Sequence, residues 1–141
     1  MRPIRDVIRS RKLVSAPPGM SVREASRLMA RERVGALAVV EGERLLGVFT
    51  ERDALFRVLA RALDPEATAL AQVMTAEPVT VDAGRALNHA LHLMFEGGFR
   101  HVPVTENGRV VGVVSARDAL GPELTQFEAE LRRRDDLSEK L

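Results

Sequence analysis

The chain has 141 residues, of which 45% are hydrophobic and 29% charged, and its net charge is +1. This size and composition are typical of a globular protein with one compact unit or two half-sized ones. The balanced charge, together with five Phe and no Trp or Tyr, argues against nucleic acid as a partner. The absence of cysteine excludes disulfides, thiolate metal sites and a cysteine nucleophile.

The N-terminal segment is basic, because its residues include Arg2, Arg5, Arg9, Arg11 and Lys12. It therefore lacks the apolar stretch of a signal peptide, and no apolar run approaches the roughly 20 residues that span a bilayer. We expect a cytoplasmic protein with no membrane partner.

The sequence repeats itself after a shift of 65 residues, which aligns residues 14–55 with residues 79–120 without a gap. One third of the aligned pairs are identical, and Asp53 with Asp118 is one such pair. Self-similarity at a fixed spacing indicates two copies of one structural unit.

Each copy begins with a short β segment, at residues 14–16 or 79–81, which leads through a glycine-containing turn into an amphipathic helix. In the first copy, Ser21 and Glu24 are spaced as a capping box that starts the helix. In the second copy, the apolar stripe of the helix stops at Gly97-Gly98, and glycine is the residue that most often terminates helices.

A pair of strands follows the helix in each copy. The predicted strands are residues 36–40, 45–49, 102–105 and 110–114. The second pair is joined by Asn107-Gly108, a strong signal for a two-residue hairpin turn. A second helix is predicted to begin at Thr50 in the first copy and at Ser115 in the second.

This order of elements predicts an α+β fold of two β-α-β-β-α units packed about a pseudo-twofold axis, because one unit of about 55 residues would bury too little surface alone. We assign residues 1–62 to the first unit with its N-terminal lead, residues 63–120 to the second unit with the linker, and residues 121–141 to a charged C-terminal tail. The tail is predicted to be helical. It either docks on its own module or contacts a partner.

Several short motifs carry a family resemblance. The motifs are GVFTERD at 47–53, GVVSARD at 112–118, VMT at 73–75, PVTV at 78–81 and RHVPV at 100–104. In this order and spacing, the chain resembles a tandem pair of CBS domains, named from cystathionine beta-synthase and known as a Bateman module. The resemblance covers about residues 7–120.

Nucleotide-binding members of that family hold their ligands in two crossed clefts between the repeats. By resemblance, one cleft uses Ser115 and Asp118 with Ser15, Val34, Gly35 and Ala36, and the other uses Thr50 and Asp53 with Thr80, Phe99, Arg100 and His101. Arg33 and Arg117, with Arg100 and His101, are the cations nearest in sequence for a phosphate.

The motifs Thr50-x-x-Asp53 and Ser115-x-x-Asp118 have two interpretations. Hydroxyl and carboxylate can cap a helix with no ligand involved. Alternatively, the carboxylate accepts both hydrogen bonds of a ribose diol, and the hydroxyl and helix N–H groups bind a phosphate. The small side chains of Gly35 and Ala36 predict more room in the Asp118 cleft than in the Asp53 cleft.

Two histidines, His89 and His92, are spaced three residues apart in the predicted helix of the second copy. This spacing is compatible with a metal site, but the equivalent residues of the first copy are Glu24 and Arg27. We therefore predict that both histidines lie on a solvent-facing side of the helix, and that the protein has no metal site.

The leading hypothesis is a regulatory module that senses an adenine nucleotide and signals to a partner protein, which the sequence does not identify. The sequence contains no Gly-rich phosphate loop or nucleophile elbow, so we expect no enzyme and no required cofactor. AMP, ADP, ATP, S-adenosylmethionine and NAD share the adenosine and stay open as ligands. The alternative is a constitutive dimerisation or interaction module. We expect a homodimer, formed through apolar residues such as Leu55, Leu59, Leu91 and Phe95.

Overall fold

The computed structural model describes residues 2–140, with side chains described for residues 2–135. It consists of two successive units, β-α-β-β-α in the first repeat and β-α-β-β followed by a 3₁₀ turn in the second, with a further helix at each end of the chain. The first half contains α1 (Ile4–Ile8), β1 (Ser15–Ala16), α2 (Val22–Glu32), β2 (Ala36–Glu41), β3 (Arg44–Thr50) and α3 (Glu51–Asp53, continued by a π-helical segment Ala54–Leu59). The second half contains α4 (Leu70–Val73), β4 (Thr75–Ala76), β5 (Val81–Asp82), α5 (Leu87–Gly97), β6 (His101–Glu106), β7 (Arg109–Ser115), a 3₁₀ turn (Ala116–Asp118) and α6 (Gly121–Lys140). The predicted α+β class and the repeat are confirmed.

The strands form two small sheets. The first sheet has the order β1-β2-β3-β4, and the second has the order β5-β6-β7. In each sheet the short leading strand is parallel to its neighbour, and the hairpin that follows is antiparallel. The leading strand of the second repeat begins at Val81, two residues later than the pattern predicts.

Local signals in the sequence act as expected at helix ends and turns. Ser21 Oγ accepts a hydrogen bond from the N–H of Glu24 over 3.1 Å and starts α2. Gly98 adopts a left-handed conformation, with φ 72°, and ends α5. Asn107 and Gly108 both have positive φ, which is the geometry of a type I′ hairpin turn.

The segment before each repeat packs into the core of the other repeat. Ile4 and Ile8 of α1 are buried with the apolar residues of the second repeat, whereas Leu70 and Val73 of α4 are buried with those of the first. β4 also adds a strand to the first sheet. The predicted division at residue 62 therefore separates the two repeats along the sequence. It does not describe the packing, because the N-terminal lead packs with the second repeat and the linker packs with the first.

Two equivalent glycines allow these crossing segments to lie close to the sheets. A Cβ at Gly47 would be 2.6 Å from Met74 Sδ, and a Cβ at Gly112 would be 3.0 Å from Ile8 Cδ1. Glycine occupies both positions because the crossing segment approaches the bare backbone of β3 or β7.

The second repeat departs from the predicted pattern after Ser115. Only the 3₁₀ turn forms there, the chain becomes extended at Ala119 with ψ 129°, and α6 begins at Gly121. Pro122 explains the break, because proline is accepted in the first turn of a helix but not in the middle of one that began at Ala116.

Helix α6 docks on α5, which is the first of the two alternatives for the predicted tail helix. The Phe127 ring contacts His92, with ring centroids 4.8 Å apart, and Phe95 at 6.2 Å. Glu130 accepts hydrogen bonds from Asn88 and His92. The prediction that His92 faces solvent is therefore wrong, because α6 covers it.

Candidate ligand site between the repeats

The two Thr/Ser-x-x-Asp motifs form helix caps. Thr50 Oγ1 accepts the N–H of Asp53 over 3.1 Å, and Asp53 Oδ2 accepts the N–H of Thr50 over 3.0 Å. In the second repeat, Asp118 Oδ2 accepts the N–H of Ser115 over 2.7 Å. The capping interpretation holds for both motifs, and each cap leaves Oδ1 of the aspartate for another contact.

A cavity of about 450 Å³ opens between the repeats on the Asp53 side. The first repeat and its added strand supply one wall, and the start of β6 supplies the other. The cavity is lined by Val48, Thr50, Glu51, Arg52, Asp53, Arg57, Thr75, Glu77, Pro78, Val79, Gly98, Phe99, Arg100 and His101. Helix α3 therefore presents its capped N-terminus to the cavity, opposite the second repeat.

Most residues assigned by resemblance to the Asp53 cleft do come together. Thr50, Asp53, Phe99, Arg100 and His101 all line the cavity. Thr80 does not: its side chain is exposed and lines a separate groove beside the two hairpin turns.

The sequence interpretation missed several lining residues. Arg57 lies one helical turn after Asp53, a spacing that could have identified it. Thr75 and Glu77 enter through the pairing of β4 with β3, which no local sequence pattern indicates.

Two of the residues assigned to the Asp118 cleft have close neighbours from other segments. A Cβ at Gly35 would be 3.0 Å from Glu51 Oε1 and 3.1 Å from His101 Nε2. Both of these side chains also line the Asp53 cavity. Arg11 Nη1 also donates a hydrogen bond to Asp118 Oδ1 over 2.9 Å.

The remaining residues assigned to that cleft contribute little to an open site. Val34 packs against the core of the first repeat, Ala36 is buried, and Ser15 is half-buried in β1. Arg117 is exposed.

The cavity has charged groups of both signs. Arg57 Nη1 donates to the carbonyl of Met74 over 2.9 Å, and Arg52 Nη1 donates to the carbonyl of Gly98 over 3.1 Å. Burial lowers the pKa of the His101 imidazole below its ordinary value of 6.5, against the opposing effect of the Glu51 carboxylate. His101 is therefore neutral near pH 7, and the exposed Arg100 is the cation beside it.

Across residues 2–135, no group of three or more acidic or histidine side chains has the arrangement of a metal site. Within the described part of the chain, no helix is both long and apolar enough to cross a bilayer.

A sequence model of the CBS domain matches residues 4–60 and 70–121, and the chain belongs to the CBS domain family. It is 35% identical over 122 residues to the CBS domain-containing protein CBSCBSPB3 of Arabidopsis thaliana, a match that covers 86% of this chain but 22% of that protein. The chain therefore spans about a fifth of that relative.

Two further comparisons cover most of both chains. YlbB of Bacillus subtilis (strain 168) is 35% identical over 111 residues, which are 77% of this chain and 74% of that protein. The crystal structure of the CBS domain protein PAE2072 from Pyrobaculum aerophilum, complexed with AMP, has a TM-score of 0.81 and 29% identity, and it covers 92% of this chain and 99% of that one.

Proposed function

We propose that the chain is a non-catalytic regulatory module that binds an adenine nucleotide or a related adenosyl ligand in the cavity beside Asp53. The observation that carries this proposal is the cavity itself, because it lies between the repeats and joins a capped helix N-terminus to an apolar wall. Its volume of about 450 Å³ falls within the usual range for small-molecule sites.

The lining suits each part of such a ligand. Asp53 Oδ1 is placed to accept a hydrogen bond from a ribose hydroxyl, because the helix cap uses Oδ2. Val48 and Phe99 offer apolar surface to the faces of an adenine. Arg100 suits a phosphate. The AMP complex of the Pyrobaculum aerophilum protein supports this class of ligand.

A regulatory role, as opposed to a catalytic one, is supported by how the polar groups are used. The carboxylates of Asp53 and Asp118 hold their helix caps, and Arg57 and Arg52 donate to backbone carbonyls. These groups fix the shape of the site. The cavity is bounded by both repeats, so ligand binding would change their relative packing, which a partner protein can read. We place this activity in the cytoplasm, with which the absence of cysteine is consistent.

We also propose that the module forms a homodimer. Leu55 and Leu59 of α3 are 50% and 72% exposed, and their equivalents Leu120 and Leu124 are 55% and 41% exposed. Apolar residues exposed at equivalent positions of both repeats form a surface with the pseudo-symmetry of the module, which suits a second copy. Leu91, expected to contribute, is buried in the core and does not.

A ligand panel tests the proposed binding. Purified protein is heated with AMP, ADP, ATP, S-adenosylmethionine or NAD, and binding at a hundredfold excess over Kd stabilises the fold by about 2.7 kcal/mol. We expect at least one of these ligands to raise the melting temperature by roughly 2 to 8 °C. A flat panel, with no heat of binding by calorimetry, would favour the alternative, a constitutive dimerisation module without a ligand.

A further inference from the structure

The capping aspartate of each repeat contacts an arginine, but the two arginines come from different parts of the chain. Asp53 Oδ1 lies 3.4 Å from Nε of Arg57, which is one turn further along the same helical segment. Asp118 Oδ1 accepts a hydrogen bond from Nη1 of Arg11 over 2.9 Å. Arg11 follows α1, the helix that packs into the second repeat from the beginning of the chain.

The repeat alignment explains this exchange. The equivalent of Arg57 is Pro122, which carries no charge, and the equivalent of Arg11 is Ala76 in β4. Each aspartate thus has an arginine at only one of these two positions. In the first repeat the cation comes from the same helix, and in the second it comes from the crossing segment.

The position of the arginine decides whether an oxygen of the carboxylate is available to accept a hydrogen bond from a ligand. Oδ2 of both aspartates is used by the helix cap, so Oδ1 is the atom that can accept from a ligand hydroxyl. At Asp53 this atom is farther from Arg57 than a normal hydrogen bond, and that guanidinium donates to Met74 instead. At Asp118 a charge-assisted hydrogen bond from Arg11 already occupies this atom.

We infer that Arg11 determines which of the two clefts accepts ligand, because it occupies the Asp118 carboxylate as an internal substitute for a ligand hydroxyl. This inference rests on the proposed function, in which an aspartate oxygen holds the ligand. Displacing a hydrogen bond to a charged group lowers affinity by roughly ten- to a hundredfold. The Asp118 cleft therefore has the lower affinity for ligand. At ligand concentrations below those that fill this cleft, the chain binds one ligand, in the Asp53 cavity.

The test isolates the Asp118 cleft. Asp53→Asn weakens the first site while keeping its helix cap, and Arg11→Met in the same background removes the guanidinium but keeps the apolar stem. AMP is titrated into each protein by calorimetry. We expect D53N/R11M to bind AMP at least tenfold more tightly than D53N. Arg9→Met is the matched control, since Arg9 lies on the same segment but pairs with Asp6; D53N/R9M should bind AMP as D53N does.

Two results would overturn the inference. The first is an equal affinity of D53N and D53N/R11M for AMP, whatever the wild type binds. The second is a gain in AMP affinity from Arg11→Met that persists when Asp118→Asn is added. A wild type that binds no panel ligand contradicts the proposed function instead, and the comparison in the D53N background still decides the role of Arg11. Circular dichroism establishes that each variant is folded, and Arg11→Gln serves in place of Arg11→Met if the latter unfolds the protein.

Discussion

Arg52 of the first repeat donates a hydrogen bond from Nη1 to the carbonyl oxygen of Gly98 in the second repeat, over 3.1 Å. Gly98 ends α5, so the guanidinium lies at the negative end of that helix dipole. The same side chain lies over the Phe56 ring, 6.0 Å from its centroid. The start of α3 and the end of α5 are thereby joined beside the cavity.

The two capping aspartates should contribute unequally to ligand binding. Asp53→Asn should lower the affinity for the ligand identified in the panel by about tenfold or more, because the cap keeps the amide oxygen and the amide nitrogen in place of Oδ1 cannot accept from the ribose hydroxyl. Asp118→Asn should change that affinity less than twofold, since Arg11 already occupies Oδ1 of Asp118. Asparagine still caps a helix, so both variants should keep their stability within about 1 kcal/mol. Calorimetric titration measures the affinities, and an equal loss at both positions would contradict the assignment of the cavity.

Charged substitutions on α3 should separate the proposed dimer. Glutamate at both Leu55 and Leu59 would place like charges in the interface. By light scattering at micromolar concentration, this variant should have a mass near 15.5 kDa, and the wild type should have twice that mass. Leu63→Glu is the control, because Leu63 is also exposed but lies outside the equivalent pairs. A wild type that is already monomeric would end the dimer proposal.

The pKa of His101 predicts a pH dependence of stability. Burial lowers this pKa from 6.5 in the folded state, so the unfolded chain binds more protons as the pH falls below about 6.5. The contribution of the neutral imidazole is fully present above that pH and is lost as the pH falls through the lower folded-state value. Urea denaturation between pH 7.5 and pH 5.5 should therefore show a smaller loss of stability for His101→Gln than for the wild type. His89, whose pKa is also lowered by burial, is present in both proteins and cancels in the comparison. Parallel curves for the two proteins would contradict the prediction.

Alanine at three glycines should destabilise the protein in a fixed order. Gly47→Ala should cost most, on the order of 1–3 kcal/mol, because the new Cβ would lie 2.7 Å from the backbone oxygen of Thr75. Gly112→Ala should cost less, since it meets only the flexible end of Ile8 at 3.0 Å. Gly19→Ala has no atom within 4 Å and should be neutral or slightly stabilising. Urea denaturation ranks the three, and any other order would mean that the crossing segments shift freely.

Local signals made most of the fold predictable. The repeat alignment, the cap at Ser21 and the Asn107-Gly108 turn each depend on residues close together in sequence, and the structure has all three. The exchange of α1 and α4 between the cores could not be predicted, because apolar periodicity shows which side of a helix is buried but not against which partner.

The candidate site was predictable in its residues but not in its shape. The family resemblance predicted that Thr50, Asp53 and residues 99–101 share one cleft, and in the structure they line one cavity. The contacts around Gly35 were not predicted, because Glu51 and His101 approach it from other segments of the chain. The roles of Arg11 and Arg57 depend on side-chain reach across the fold, which spacing in sequence does not give.

The exchanged helices also fix the order in which the two halves can be completed during synthesis. The first repeat lacks Leu70, Val73 and the edge strand β4 until residue 76 has emerged from the ribosome, so its core is incomplete when its own β-α-β-β-α unit has emerged. Helix α1 emerges first but must wait for residues 81–114 before Ile4 and Ile8 find their core. The nascent chain therefore carries unburied apolar surface from both halves at once, and the two repeats reach their final packing as one unit and not in succession.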